Sequence, residues 1–282
     1  MKRREQKAVR VVKKILIYVL LVFITGVTIY PIVQIFGISL RPADQLYSTS
    51  LRIIPENASF DAYRKVIFEK DFFTWLRNSA IVALAVSILG VSLASTAGYA
   101  FSRFRFGGKK AGLVAILLTQ MFPATMLLLP LYVLMKNLGL VDTLLGIIIA
   151  YTATALPFCI WTMKGYYDTI PRDLEEAAVI DGTTQFGAFL RVTLPLSAPA
   201  LVITALFSFM AGWSEFIVAR VIINRQALYT LPLGLESLSS TFQTEWANYA
   251  AGSILVCIPV VALFLLLSRF LISGLTLGGV KG

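Results

Sequence analysis

Side chains able to do chemistry are scarce in this chain. No histidine occurs among the 282 residues. That excludes His-based acid–base catalysis, serine and cysteine triads with His, and His-ligated metals. Cys159 and Cys257 lie in separate apolar segments without CxxC spacing, so they read as small buried hydrophobes rather than a disulfide. The acids that do cluster are Asp173, Glu175, Glu176 and Asp181, inside DLEEAAVIDGTTQFGAFLRVTLP (173–195). Asp173 and Glu176 have capping-box spacing, and acids in a first helical turn suit the positive end of the helix dipole. Pro171 suits that first turn, and Gly182 would stop the helix as its C′ residue. Thr183 or Thr184 can cap a second short helix, which Pro195 would close. Leu174, Ala177, Ala178 and Asp181 share one face of the first helix. Phe186, Phe189 and Leu190 make the second apolar on one side. Two readings fit: a projecting knob that alanines let a partner approach closely, or a capped loop that merely joins its neighbours.

Those neighbours are apolar. Hydrophobic residues make up 57% of the chain and charged ones 14%, with a mean hydropathy of +0.79. A soluble domain carries about 25% charged residues, so the composition implies a polytopic membrane protein, and apolar segments of spanning-helix length make the expected fold all-α. Six segments are each long enough to span: about 15–39, 77–101, 111–135, 143–163, 198–222 and 250–271. They are expected to form a single transmembrane domain, the first being an uncleaved anchor. The net charge of +10 could signal nucleic acid. However, Lys2, Arg3, Arg4, Lys7, Arg10, Lys13 and Lys14 directly precede the first apolar segment, which is an orientation signal for a lipid bilayer; no nucleic acid is expected. With Arg103, Arg105, Lys109, Lys110, Lys164, Arg172, Arg191, Arg269 and Lys281, about 16 of the 25 basic residues fall on one side. Both termini and the acidic stretch are therefore expected in the cytoplasm. Segments 41–76 and 224–248 would be extracytoplasmic loops.

Within the spans, Pro123, Pro130, Pro157 and Pro259 imply burial in a bundle, with bends. Gly90, Ala94 and Gly98 put small residues on one helix face, for packing within the chain or against a second membrane subunit. Glu215 is an ionisable residue at membrane depth, and so a pathway or gate candidate, unless it simply pairs with Arg220. Trp213 beside it would be an interface anchor or pathway lining.

Glu176-Ala177-Ala178, three residues, Gly182, nine residues, then Val192, Thr193, Leu194 and Pro195 is similar to the EAA loop of ABC importer permeases, E-A-A-x3-G-x9-I-x-L-P. Val192 in place of isoleucine is the one departure. WTMKGYYDTIPRDLEEAAVIDG, LPLSAP, QMFPA, SLRP and the terminal GLTLGGVKG resemble the MalG-type permeases of maltose-class sugar importers, over nearly the whole chain. The resemblance implies a six-helix MetI-like fold in the inner membrane of a prokaryote. It also implies transport of maltose, maltodextrin or another oligosaccharide, with no catalytic site, metal or cofactor in this chain.

The implied partners are a MalF-like second permease, a homodimeric MalK-like ATPase that uses ATP and Mg, and an extracytoplasmic sugar-binding protein. No G-x-x-x-x-G-K-[ST] occurs, and Gly107–Lys110 fails its spacing, consistent with ATP being bound elsewhere. By the resemblance, Glu175, Glu176, Ala177, Ala178, Asp181, Gly182, Leu194 and Pro195 couple to the ATPase. Gly278, Gly279 and Lys281 would reach between its subunits, and Ser239, Ser240, Thr241, Phe242 and Gln243 would meet the binding protein. A stand-alone secondary transporter and a membrane enzyme are the competing classes; co-purification with an ATPase separates them from an importer.

Overall fold

The computed structural model describes residues 2–42, 54, 55, 57–239 and 245–277, and all regular structure among them is helical. In chain order the helices are α1 (Lys2–Ser39), α2 (Asp61–Phe68), α3 (Phe72–Arg103), α4 (Lys109–Thr119), α5 (Ala124–Asn137) and α6 (Leu144–Tyr167). Next come α7 (Asp173–Ile180), α8 (Gln185–Ala188), a π-helical turn (Phe189–Thr193), α9 (Leu194–Leu196), α10 (Ala198–Ser214) and α11 (Ile217–Ile222). A 3₁₀ turn (Gln226–Leu228), α12 (Leu231–Ser237) and α13 (Trp246–Leu277) complete the order. Four helical stretches are long and apolar enough to cross a membrane: Arg10–Ser39, Phe72–Arg103, Leu144–Tyr167 and Trp246–Ser268. Two bent pairs, α4 with α5 and the 185–196 path with α10, raise the number to six if each pair is one span.

The chain forms two compact units. One comprises residues 1–70 and 238–255. In it the Ser39 and Tyr63 hydroxyls share a 2.8 Å hydrogen bond, and Ala62 packs with Ala247 and Ala251. The other comprises residues 71–237 and 256–282, and is built on α3, α6 and α10 packed against one another. Small residues set their spacing. A Cβ on Gly98 would lie 2.8 Å from the Met163 Cβ, and one on Gly212 would lie 2.7 Å from the Ala83 Cα. A Cβ on Gly90 would collide with the Ser208 side chain. The Gly90–Ala94–Gly98 face is therefore buried within the chain, where backbones approach closely.

Two of the expected spans are interrupted, the third at Pro123, one of the prolines expected to bend the spans. The third breaks at Gln120–Pro123, with α4 and α5 bent by 102°. Pro123 has no N–H and disfavours helix in the residue before it, while the Gln120 amide crosses to the Thr154 carbonyl at 3.2 Å. Pro130 and Pro157, by contrast, are absorbed inside α5 and α6. The fifth breaks at Glu215, whose backbone is extended (ψ 132). Its carboxylate accepts the Ile217 and Val218 N–H groups at 3.0–3.2 Å, starting α11.

At the far end from α7, Asp142 fastens the turn before α6 to the segment after α11. Its Oδ1 accepts the N–H groups of Asn224 (2.6 Å) and Arg225 (3.0 Å). The Asn224 bond, helped by Arg225, holds the carboxyl below its ordinary value despite some burial.

Candidate functional site

The acidic stretch forms the expected helix pair, though not with every expected cap. Asp173, Glu175 and Glu176 occupy the first turn of α7, where the helix dipole favours them. Arg172 is the N-cap and makes no side-chain cap, so the Asp173–Glu176 capping box is not formed. Asp173 already lies inside the helix, and the N–H groups of Glu175 and Glu176 bond the Arg172 carbonyl instead.

The other end of α7 is a Schellman turn. Gly182 N–H bonds Val179 O at 3.0 Å, Thr183 N–H bonds Ala178 O at 3.1 Å, and Gly182 has φ +91. Thr184 then caps α8, its Oγ1 accepting the Gly187 N–H at 3.1 Å.

Pro195 does not close the second helix. The helical path runs through it to Leu196 and turns by 80° only at Ser197. The π turn at 189–193 widens the helix just before Pro195, where a regular turn would press the ring on the carbonyl four residues back.

One face of α7 is riveted to the bundle. Glu175 is buried, and both of its carboxylate oxygens are used. Arg103 Nε donates to Oε1 at 2.6 Å, and the Tyr99 hydroxyl donates to Oε2 at 2.8 Å. Arg103 spends its other nitrogens on the Ile170 carbonyl (2.9 Å) and the Ser102 hydroxyl (3.3 Å). Ser102 Oγ in turn donates to Asp168 Oδ1 at 2.6 Å, Lys164 Nζ pairs with Asp168 Oδ2, and Arg172 donates to the Ser102 carbonyl at 3.1 Å. Burial alone would raise the Asp168 carboxyl, but the Lys164 and Ser102 bonds outweigh it and hold the group below its ordinary value. The Tyr99 ring packs on Phe189, with centroids 4.5 Å apart.

Elsewhere on the knob apolar side chains stand open. Ile180 is 85% exposed and Phe186 is 64% exposed, with Leu174, Val179 and Leu190 nearly half exposed. Glu176 is exposed too, and forms no ion pair among the described residues. It stands at a groove of about 430 Å³ whose other walls include Arg172, Val179, Ile180 and Gln185. Ala177, Asp181, Gly182 and Pro195 are exposed, Ala178 is half-buried, and Leu194 packs toward the core.

The structure thus gathers the residues of the EAA-like stretch on one knob and ties Glu175 to Arg103 and Tyr99 at the base of the groove that Glu176 borders. Arg103, Tyr99, Ser102 and Asp168 were missed by sequence reasoning. The i,i+4 spacing of Lys164 and Asp168 was the one legible signal for any of them.

The remaining candidates lie elsewhere. Trp213 is buried, stacked on Phe209 at 5.4 Å, and donates to the Val256 carbonyl at 3.2 Å. Its ring is thus covered within the chain rather than standing at the surface. Glu215 caps α11 rather than pairing with Arg220, whose guanidinium lies 3.6 Å from Glu236. Ser239 is exposed; Ser240, Thr241, Phe242, Gln243, Gly278, Gly279 and Lys281 lie outside the described residues.

Close-packed apolar helices, two of them bent, together with a helical knob joined to their ends, define a polytopic membrane protein. Residues 87–275 match the family model of binding-protein-dependent transport system inner membrane components, and the chain belongs to that family. It is 36% identical over 225 residues to the maltodextrin transport system permease protein MdxG of Bacillus subtilis (strain 168), covering 79% of this chain and 81% of that protein. The galactooligosaccharides transport system permease protein GanQ of the same organism is 35% identical over 282 residues, 99% of each chain. The maltose/maltodextrin transport system permease protein MalG of Yersinia pestis is 41% identical over 214 residues, 74% of this chain and 70% of that one. A bacterial ABC transporter involved in import of the acidic polysaccharide alginate shares the fold, with a TM-score of 0.80 over 92% of this chain and 96% of that one at 24% identity.

Proposed function

We propose that this chain forms half of the alternating-access pathway of an ATP-driven oligosaccharide importer, with maltose or maltodextrin as its substrate. Its relatives named for maltodextrin, maltose and galactooligosaccharide transport support that substrate class. In this reading a MalF-like permease supplies the other half, and an extracytoplasmic binding protein delivers the sugar. A MalK-like ATPase dimer uses ATP and Mg²⁺ on the cytoplasmic side, where both termini and the knob lie. The observation that carries the coupling role is the knob itself. Its apolar crest of Ile180 and Phe186 is open, with Glu176, which forms no ion pair among the described residues, beside it. A desolvated apolar centre with a charge at its edge is the anatomy of a protein-docking surface. Closure of the ATPase on ATP would push the knob, and the attached helices would rock between inward- and outward-facing states.

The test is ATP hydrolysis by the reconstituted complex with its binding protein, across a panel of saccharides. Stimulation by maltodextrins is the expected result. Stimulation by no saccharide would remove the sugar assignment.

A further inference from the structure

We propose that the buried Arg103–Glu175 pair is the joint that makes α7 and the end of α3 move as one lever, so that Arg103, Glu175 and Tyr99 are positioning residues for coupled transport. This rests on the reading of the knob as the ATPase contact. Chain connectivity ties the knob to α6 through residues 168–172 on one side and to α10 through the 80° bend at Ser197 on the other. Neither link joins it to α3. The polar network does, across 72 residues of sequence, beside the apolar contact of the Tyr99 ring with Phe189.

Its geometry is that of a fixed joint rather than a passing contact. Both Glu175 oxygens and all three Arg103 nitrogens have partners, in a site where each side chain is 10% exposed or less. Charge-assisted, fully satisfied bonds away from water hold direction as well as distance. Ser102 extends the joint to α6, because it receives Arg103, bonds Asp168 and offers its carbonyl to Arg172. Gly98, one turn back from Ser102, lets α3 and α6 touch at backbone distance. A push on α7 therefore arrives at α3 and α6 together, whereas a knob held only by its flanking links and the non-directional Tyr99–Phe189 contact would turn about Pro171 and Ser197 and waste the stroke.

The experiment uses the complete complex of permeases, ATPase and binding protein in liposomes, and reads sugar uptake per ATP hydrolysed. Glu175→Gln is expected to retain wild-type ATPase co-purification and ATP hydrolysis while uptake per ATP falls at least ten-fold. Uptake per ATP within two-fold of wild type overturns the joint, and so does a loss of uptake that merely tracks loss of the ATPase from the complex. Should the Glu175→Gln chain not accumulate, Tyr99→Phe decides, since it keeps the ring on Phe189 and deletes one bond. A two- to five-fold fall in uptake per ATP supports the joint, and an unchanged ratio overturns it. Ile180→Asp separates the two levels of the argument. If it leaves ATPase co-purification intact, the docking reading fails; if it abolishes co-purification while Glu175→Gln stays coupled, only the joint fails.

Discussion

Replacing Arg103 by methionine would leave the Glu175 carboxylate buried with only the Tyr99 hydroxyl as a partner. Removing one member of a buried ion pair costs about 3–5 kcal/mol, because the remaining charge has lost its compensation. Glu175→Leu should cost a similar amount by stranding the guanidinium. The double variant is the informative one. It removes both charges, which in buried pairs is often neutral or even stabilising. What it strands is the Tyr99 hydroxyl and the Ile170 carbonyl, at about 1 kcal/mol or somewhat more each. Its expected cost is therefore roughly 2 kcal/mol, less than either single substitution. Denaturant titration of the purified chain in detergent micelles closes this cycle. Singles that cost under about 1 kcal/mol and simply add would refute the reasoning, since that is how solvent-exposed pairs behave.

Three further outcomes follow from the knob. Phe186→Ala should weaken ATPase recruitment by about ten-fold or more, because burying an aromatic side chain contributes roughly 1.5–3 kcal/mol; a pull-down with titrated ATPase measures it. Gly182→Ala forces a Cβ into the left-handed region at φ +91, which costs about 1–2 kcal/mol, so protease nicking between α7 and α8 should increase while the membrane core stays intact. The Asp168 tie has a defined pH window. Its folded-state carboxyl lies below the ordinary value of 3.8, so its contribution is complete above that pH and is lost only as pH falls through the lower folded value. Thermal midpoints of wild type and Asp168→Asn should therefore differ by a constant amount from pH 5 to 8 and converge only in stronger acid.

Local chemistry was legible in the sequence. Gly182 as a helix stop, Thr184 as a cap and the small face at Gly90, Ala94 and Gly98 each follow from a rule that acts within one turn of helix. The capping box was a false signal of the same kind, because Arg172 began the helix one residue early and Asp173 lost its cap position. What could not be read were consequences of which surfaces meet. Arg103 was counted only as a basic loop residue, since nothing in its neighbourhood says that Glu175 lies against it. Pro123 breaks its segment whereas Pro130 and Pro157 do not, although the ring chemistry is identical; neighbouring helices decide which freed carbonyls are re-satisfied. The depth of Glu215 was visible in the sequence, whereas the helix break that it caps was not.

The central claim is that the crest of the knob sits against an ATPase on the cytoplasmic side. A single cysteine tests it most directly: Ile180→Cys in a chain with Cys159→Ala and Cys257→Ala, carried in the complete complex. The thiol should react with a membrane-impermeant maleimide only in inside-out vesicles. A short bifunctional reagent should join it to the ATPase subunit, with a yield that changes when ATP is added. Labelling from the outer side, or a thiol that cross-links to no ATPase in an assembled complex, would contradict the account.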